Sequence, residues 1–327
     1  MPTHLKPNEI LRDRYKIVGL IGSGGMGAVY LAADNRLRGR QCAVKETLPR
    51  PNISDAATQA ARDQFYQEAS ILAQLDHPSL PKVSDFFSIE ELDYLVMDFV
   101  PGQNLLEIVT DARRDVRFLE PELVLSWIDQ LCDTLIYLHS RQPCVLHRDI
   151  KPANIKLTPE GRLKLVDFGL VKPLDPDDPN TLTGLQGAGS LPYAPLEQYV
   201  DHLGHTNARS DLYALGATMY HLLTGNTPAS AQERFLVPES LPSPRKINPA
   251  IPASMAEAVI AAMAPHPKDR PSSVDQWRQM LRSSVSTAPM GMRQPMGSEW
   301  PASLRENWWL VGVAAVLLAA SFWMTFN

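Results

Sequence analysis

Apolar residues in the first hundred positions come in short, largely β-branched runs: Tyr15 to Val18, Ala28 to Leu31, Cys42 to Val44 and Tyr94 to Met97. Runs of this length and type predict strands of an antiparallel sheet. Between the third and fourth runs, residues 56–75 carry Phe65, Ala69, Leu72 and Leu75 at the spacing of one helix face, behind Ser54 and Asp55, residue types suited to a helix N-cap. Beyond Pro101 and Gly102 the period becomes helical. Leu123, Trp127, Leu131, Leu135 and Leu138 form one stripe, and Leu212, Leu215, Met219 and Leu222 form another that stops at Gly225. Two further stripes run through Met255, Val259 and Met263, and through Val274, Trp277 and Leu281.

These elements predict an α+β protein: a small β-rich lobe over residues 15–100 and a larger helical lobe over 101–283, preceded by an N-terminal extension at 1–14. Residues 284–307, rich in Ser, Pro, Gly and Met without periodicity, read as a flexible linker. An apolar segment at 308–326 follows it, and no internal repeat is present.

A length of 327 residues accommodates two lobes with a sizeable core. The net charge of -5 provides no broad basic field, so nucleic acid is not expected as a partner. Cys42, Cys132 and Cys144 lie far apart without CxxC spacing, which fits packing residues in a reducing compartment. The polar stretch from Met1 to Lys16 lacks the apolar centre of a secretory signal.

Four motifs carry chemistry. The loop Gly22-Ser23-Gly24-Gly25-Met26-Gly27-Ala28-Val29 has the form G-x-G-x-x-G-x-V, in which missing side chains let backbone N–H groups approach phosphate oxygens. It leads into a strand, whereas a dinucleotide-binding loop would lead into a helix. Lys45 places an ammonium on a buried strand, where it needs an anionic partner, and Glu68 on the following helix is the candidate. The stretch His147-Arg148-Asp149-Ile150-Lys151-Pro152-Ala153-Asn154 is followed, thirteen residues after Asn154, by Asp167-Phe168-Gly169. Asp149 can accept a hydroxyl proton, Lys151 can offset charge on a transferring phosphoryl group, and Asn154 and Asp167 offer hard oxygen ligands for Mg²⁺. Strands at Ile155 to Leu157 and Leu163 to Val166, joined by the turn Pro159-Glu160-Gly161, would set Asn154 beside Asp167.

In this order and spacing the motifs resemble those of the eukaryotic-type protein kinase superfamily, in its bacterial serine/threonine branch, over about residues 15–283. The resemblance implies the two-lobed protein kinase fold and transfer of the γ-phosphoryl group of Mg-ATP to Ser/Thr hydroxyls of protein substrates. By the same resemblance Asp149 is the catalytic base with Lys151 beside it, and Asn154 and Asp167 hold Mg²⁺. Gly22, Ser23, Gly24, Gly27, Val29, Ala43, Lys45, Glu68 and Met97 belong to the ATP site, with Met97 at the position that limits its depth. The segment Gly189 to Glu197 is similar to the family's Ala-Pro-Glu segment, with Leu196 where proline is usual and Ser190 where threonine is usual. It implies that Glu197 pairs with Arg270 and that Asp211 anchors the catalytic loop. Arg148 before Asp149 implies an activation loop regulated by phosphorylation, with Thr181 and Thr183 as candidates. Two other readings are a pseudokinase scaffold, against which the complete residue set argues, and a small-molecule kinase, against which the Gly189 to Glu197 segment argues.

The run from Trp308 to Phe326 holds 19 residues without a charge. At ~1.5 Å per residue a helix of this length reaches roughly 28 Å, enough for the hydrocarbon core of a bilayer. Trp308, Trp309 and Trp323 lie near its ends and Arg305 precedes it, which predicts a single-pass transmembrane helix in the cell membrane with the kinase part cytoplasmic. Gly312, Ala314, Ala315, Ala319 and Ala320 supply small residues through which two such helices could pair into a homodimer.

Overall fold

The computed structural model describes residues 4–24, 27–48, 55–167, 188–198 and 206–286, which form a small β-rich lobe and a large helical lobe. Strands β1 (Ile10–Leu11), β2 (Tyr15–Gly24), β3 (Gly27–Asp34), β4 (Gln41–Thr47), β5 (Val83–Ile89) and β6 (Leu92–Asp98) form one sheet in the order β1-β2-β3-β4-β6-β5, every pairing antiparallel. The four expected strands are all present. β1 and β5 were not expected, because two residues are too few to show a period and Val83, Phe86, Phe87 and Ile89 do not alternate with polar residues.

Register decides what each face of this sheet does. Residues directly opposite one another in an antiparallel sheet share a face. Val29 pairs with Lys45 and Lys45 with Leu95, while Leu31 pairs with Ala43 and Ala43 with Met97, so Val29, Ala43, Lys45 and Met97 lie on one face. Helix α1 (Asp55–Ala73) packs on it, with Phe65, Ala69 and Leu72 in the same apolar cluster as Ala43, Leu95 and Met97. The opposite face carries Tyr15, Ile17, Ala28, Tyr30, Val44, Phe87, Tyr94 and Val96, which bury one another in a separate cluster.

The large lobe begins with β7 (Gln103–Asn104) and α2 (Leu105–Arg114). Asn104 caps α2 by accepting from the Glu107 backbone at 2.8 Å, while Glu107 accepts from the Asn104 backbone at 2.8 Å. Helix α3 (Pro121–His139) buries Val124, Trp127, Ile128, Leu131, Leu135 and Leu138. Leu123, expected on this stripe, is 43% exposed, because it falls in the first turn and Val124 takes the inward position. β7 pairs with β8 (Ile155–Leu157), and β8 with β9 (Leu163–Leu165), forming the expected hairpin.

Helix α4 (Ala208–Thr224) is buried along almost its whole length, as a central support must be, and ends at Gly225 with φ 66°. Helices α5 (Ala231–Leu236), α6 (Pro244–Ile247), α7 (Ala253–Ala262) and α8 (Val274–Ser286) complete the lobe, with Met255, Val259, Met263, Val274, Trp277 and Leu281 all buried as expected. Cys42 and Cys132 are buried free thiols and Cys144 is half-buried.

Among the described residues no helix is long and apolar enough to cross a membrane. The expected transmembrane segment at 308–326 and residues 287–307 of the expected linker lie outside the described residues, as do Thr181 and Thr183.

Candidate active site

The glycine-rich turn joins β2 to β3, and its glycines answer to different constraints. A Cβ on Gly27, at φ 144°, would stand 1.8 Å from the Glu46 carbonyl oxygen, so the neighbouring strand demands glycine there. At Gly24 nothing lies within 4 Å of such a Cβ, and at Gly22 only Val29 Cβ does, at 4.0 Å. The fold itself leaves those two positions open, which keeps the backbone around Ser23 accessible to a phosphate.

Below this turn the Lys45 ammonium forms an ion pair with the Asp167 carboxylate. Burial pushes the Asp167 carboxyl up, but the charge and hydrogen bond of Lys45, with smaller help from Lys151 and His147, hold it below the usual carboxylate range. Glu68 is buried on α1, where it accepts a hydrogen bond from Gln64 at 2.8 Å.

The catalytic-loop residues meet in one hydrogen-bonded group. Lys151 Nζ donates to Asp149 Oδ2 at 2.8 Å and to Ser190 Oγ at 2.7 Å, and Ser190 Oγ donates to Asp149 Oδ1 at 3.0 Å. Asn154 Nδ2 donates to Asp149 Oδ2 at 2.7 Å and to the Asp149 carbonyl at 2.9 Å. With its nitrogen so engaged, Asn154 presents its Oδ1 as a hard oxygen donor. The hairpin sets it next to Asp167 in the chain path, since Val166 N–H donates to the Asn154 carbonyl at 2.8 Å. An amide oxygen and a depressed carboxylate fit Mg²⁺, which takes few protein ligands and keeps several waters.

This geometry is enforced from beneath. The Asp211 carboxylate on α4 accepts the His147 N–H at 2.9 Å and the Arg148 N–H at 2.8 Å, and also bonds His139 Nε2 at 2.9 Å. Burial pushes the Asp211 carboxyl up, yet the His139 bond, the two histidine rings and the Arg148 N–H together hold it down. Its grip keeps Arg148 at φ 65°, a left-handed conformation that costs a non-glycine residue ~1–3 kcal/mol. The Arg148 guanidinium is buried, and none of its three nitrogens has a hydrogen-bond partner among the described residues.

The turn Ala188–Tyr193 carries Ser190, and the next turn, Leu196–Gln198, carries Glu197. Glu197 forms the expected ion pair with Arg270 at 2.6 Å. Leu196 is buried, so an apolar side chain serves where proline is usual. The sequence marked Ser190 only as a variant position in its segment, and the structure places its hydroxyl between Lys151 and Asp149. A small hydroxyl residue shortly before Pro192 was the available signal.

The sequence matches the protein kinase domain family over residues 15–283. It is 33% identical over 299 residues to a probable serine/threonine-protein kinase of Streptomyces coelicolor, covering 88% of this chain and 42% of that protein. It is 30% identical over 284 residues to serine/threonine-protein kinase PrkC of Bacillus subtilis, covering 85% of this chain and 41% of that protein. The chain thus spans less than half the length of these relatives. The crystal structure of the Mycobacterium tuberculosis PknI kinase domain is similar at a TM-score of 0.66 and 26% identity, covering 86% of this chain and 100% of that one. With the family matched across both lobes and the glycine turn, Lys45, Asp149, Asn154 and Asp167 in place, this chain belongs to the protein kinase domain family, in its bacterial serine/threonine branch.

Proposed function

We propose that the chain transfers the γ-phosphoryl group of ATP, with Mg²⁺, to serine or threonine hydroxyls of protein substrates. One observation carries this reading: the Asp149 carboxylate already accepts an aliphatic hydroxyl, that of Ser190, with Lys151 bonded to both. A substrate hydroxyl presented in the same way would be oriented by Asp149, which takes its proton as the new O–P bond forms. Lys151 offsets negative charge on the group in transfer. Lys45 binds the α/β-phosphates, the backbone at Gly22, Ser23, Gly24 and Gly27 covers the phosphates, and Glu68 supports Lys45 from α1. Val29, Ala43 and Met97 line the nucleotide side of the sheet. Asn154 and Asp167 would hold Mg²⁺, which when bound neutralises charge on the phosphates.

A protein substrate is favoured over a small molecule because the turn bearing Ser190 is continuous with Glu197, which the buried Arg270 pair fixes to the large lobe. A scaffold without catalysis is disfavoured by the complete set Lys45, Glu68, Asp149, Asn154 and Asp167. We assign regulation to phosphorylation of the activation loop at Thr181 or Thr183, because the buried Arg148 guanidinium, without a hydrogen-bond partner among the described residues, is suited to a phosphate. Residues 308–326 would anchor the chain in the cell membrane as a single helix, with the kinase part cytoplasmic and pairing through the small residues as a route to a homodimer.

Incubation of the purified chain with Mg-ATP and a cell lysate, followed by phosphosite mapping, tests the proposal. Phosphate on Ser or Thr of the chain and of lysate proteins is expected, and it should vanish in Asp149→Asn. Absence of transfer by the unaltered chain sinks it.

A further inference from the structure

Glu46 follows Lys45 in β4 and faces the other way, into the apolar cluster behind the sheet. A carboxylate 3% exposed on the face that carries Ala28, Tyr30, Val44 and Tyr94 must be compensated or it would be strongly destabilising. Two hydroxyls compensate it: Tyr94 O–H donates to Oε2 at 3.1 Å and Tyr30 O–H to Oε1 at 3.4 Å. Burial raises the pKa of both phenols, so both remain donors at neutral pH. Tyr30 in turn accepts the Leu5 backbone N–H at 3.1 Å.

The segment that supplies this last bond is itself fastened to the sheet. Asn8 N–H donates to the Ile17 carbonyl and Ile17 N–H to the Glu9 carbonyl, both at 2.8 Å, and β1 follows at once. Leu5 packs against the same apolar cluster. On the other side of the strand the Glu46 carbonyl oxygen is the atom on which Gly27 closes. The backbone of this one residue therefore touches the last glycine of the phosphate turn and carries Lys45 as its neighbour.

We propose that Glu46 is a positioning residue for the nucleotide cradle: fixed by Tyr30 and Tyr94 and closed off by the N-terminal segment, it sets the β4 backbone that places Gly27 and Lys45. This rests on the nucleotide reading of the site given above. Glu46 touches no phosphate itself. Its effect passes through strand position, so it should alter how well nucleotide is held more than how fast a bound nucleotide reacts.

The test uses the full chain in detergent, with a non-hydrolysable ATP analogue and Mg²⁺ for affinity by calorimetry and with Mg-ATP for KM and kcat. Loss of buried hydrogen bonds to a charged group predicts that Glu46→Ala weakens analogue affinity and raises KM for ATP by roughly tenfold or more, with kcat within about twofold. Glu46→Gln, which keeps an acceptor and the shape, should recover most of the affinity, and Glu46→Leu should not. Tyr30→Phe, which deletes the hydroxyl that bridges Glu46 and the Leu5 N–H, should shift KM in the same direction by a smaller factor. A purely packing role would lower thermal stability and leave KM unchanged, and that result overturns the inference. Should Glu46→Ala fail to fold, Tyr94→Phe decides: an unchanged KM for ATP overturns the inference and a raised KM supports it. Failure of the unaltered chain to bind the analogue overturns both this inference and the nucleotide reading, whereas binding that Glu46→Ala leaves unchanged overturns this inference alone.

Discussion

The Glu197 carboxylate receives two hydrogen bonds from the Arg270 guanidinium, at 2.6 and 3.0 Å, and both side chains are wholly shielded from solvent. Ser210 donates to the same carboxylate at 2.8 Å, and Arg270 also donates to the carbonyls of Ala264, Pro265 and Arg209. Removing one member leaves the other charged and buried. Arg270→Leu should therefore cost ~3–5 kcal/mol of stability, measured by chemical denaturation. A loss under about 1 kcal/mol would show that the pair is not a structural tie.

Ser190 joins Lys151 to Asp149 although it lies 41 positions from the aspartate. Ser190→Ala removes a hydrogen bond to a charged carboxylate and another to an ammonium. Since such bonds contribute ~1.5–3 kcal/mol, kcat for peptide phosphorylation should fall roughly 10- to 100-fold, with ATP affinity little changed. Ser190→Thr keeps the hydroxyl and should restore most of the rate. Equal activity of the alanine variant would remove Ser190 from the catalytic group.

Asp149→Asn tests the base directly. The amide keeps the shape and can still accept one hydrogen bond, but it cannot take a proton. Phosphotransfer should drop by ~10²–10⁴ while calorimetric binding of Mg-ATP remains within a few-fold of the unaltered chain. Retained transfer would show that the proton leaves by another route.

His221 on α4 provides a pH signature of folding. It bonds the Tyr193 hydroxyl at 2.7 Å, and burial lowers its pKa from 6.5 to about 4. The folded state thus holds it neutral where the unfolded chain would bind a proton. The contribution is fully present above pH ~6.5 and is lost as pH falls toward ~4, by about 3 kcal/mol in all. His147, also lowered by burial, adds to the trend with the same sign. Denaturation midpoints measured from pH 7 to pH 4 should fall steeply, and His221→Gln should flatten the slope. A midpoint independent of pH across that interval would contradict this account.

Local chemistry was readable wherever a motif is contiguous or a period is sustained. The strands around Tyr15, Ala28, Cys42 and Tyr94, the hairpin from Ile155 to Leu165 and the stop at Gly225 all follow from patterns a few residues long. Leu123 misled because a helix's first turn continues the period without being covered by the core. Glu46 was invisible because its charge on a strand reads as solvent-facing, and only the tyrosines of two other strands make its burial tolerable.

By itself the sequence determined which groups exist and which neighbours share a loop: a glycine turn, one strand lysine, an aspartate with its lysine and asparagine, and a second aspartate beyond a hairpin. Tertiary structure alone decided that Lys45 meets Asp167 across 122 positions and that Ser190 enters the group around Asp149. The reason is physical. A motif specifies its own backbone through short-range sterics and hydrogen bonds, whereas the partner of a buried charge is whichever opposite group the packing of distant elements brings within about 3 Å.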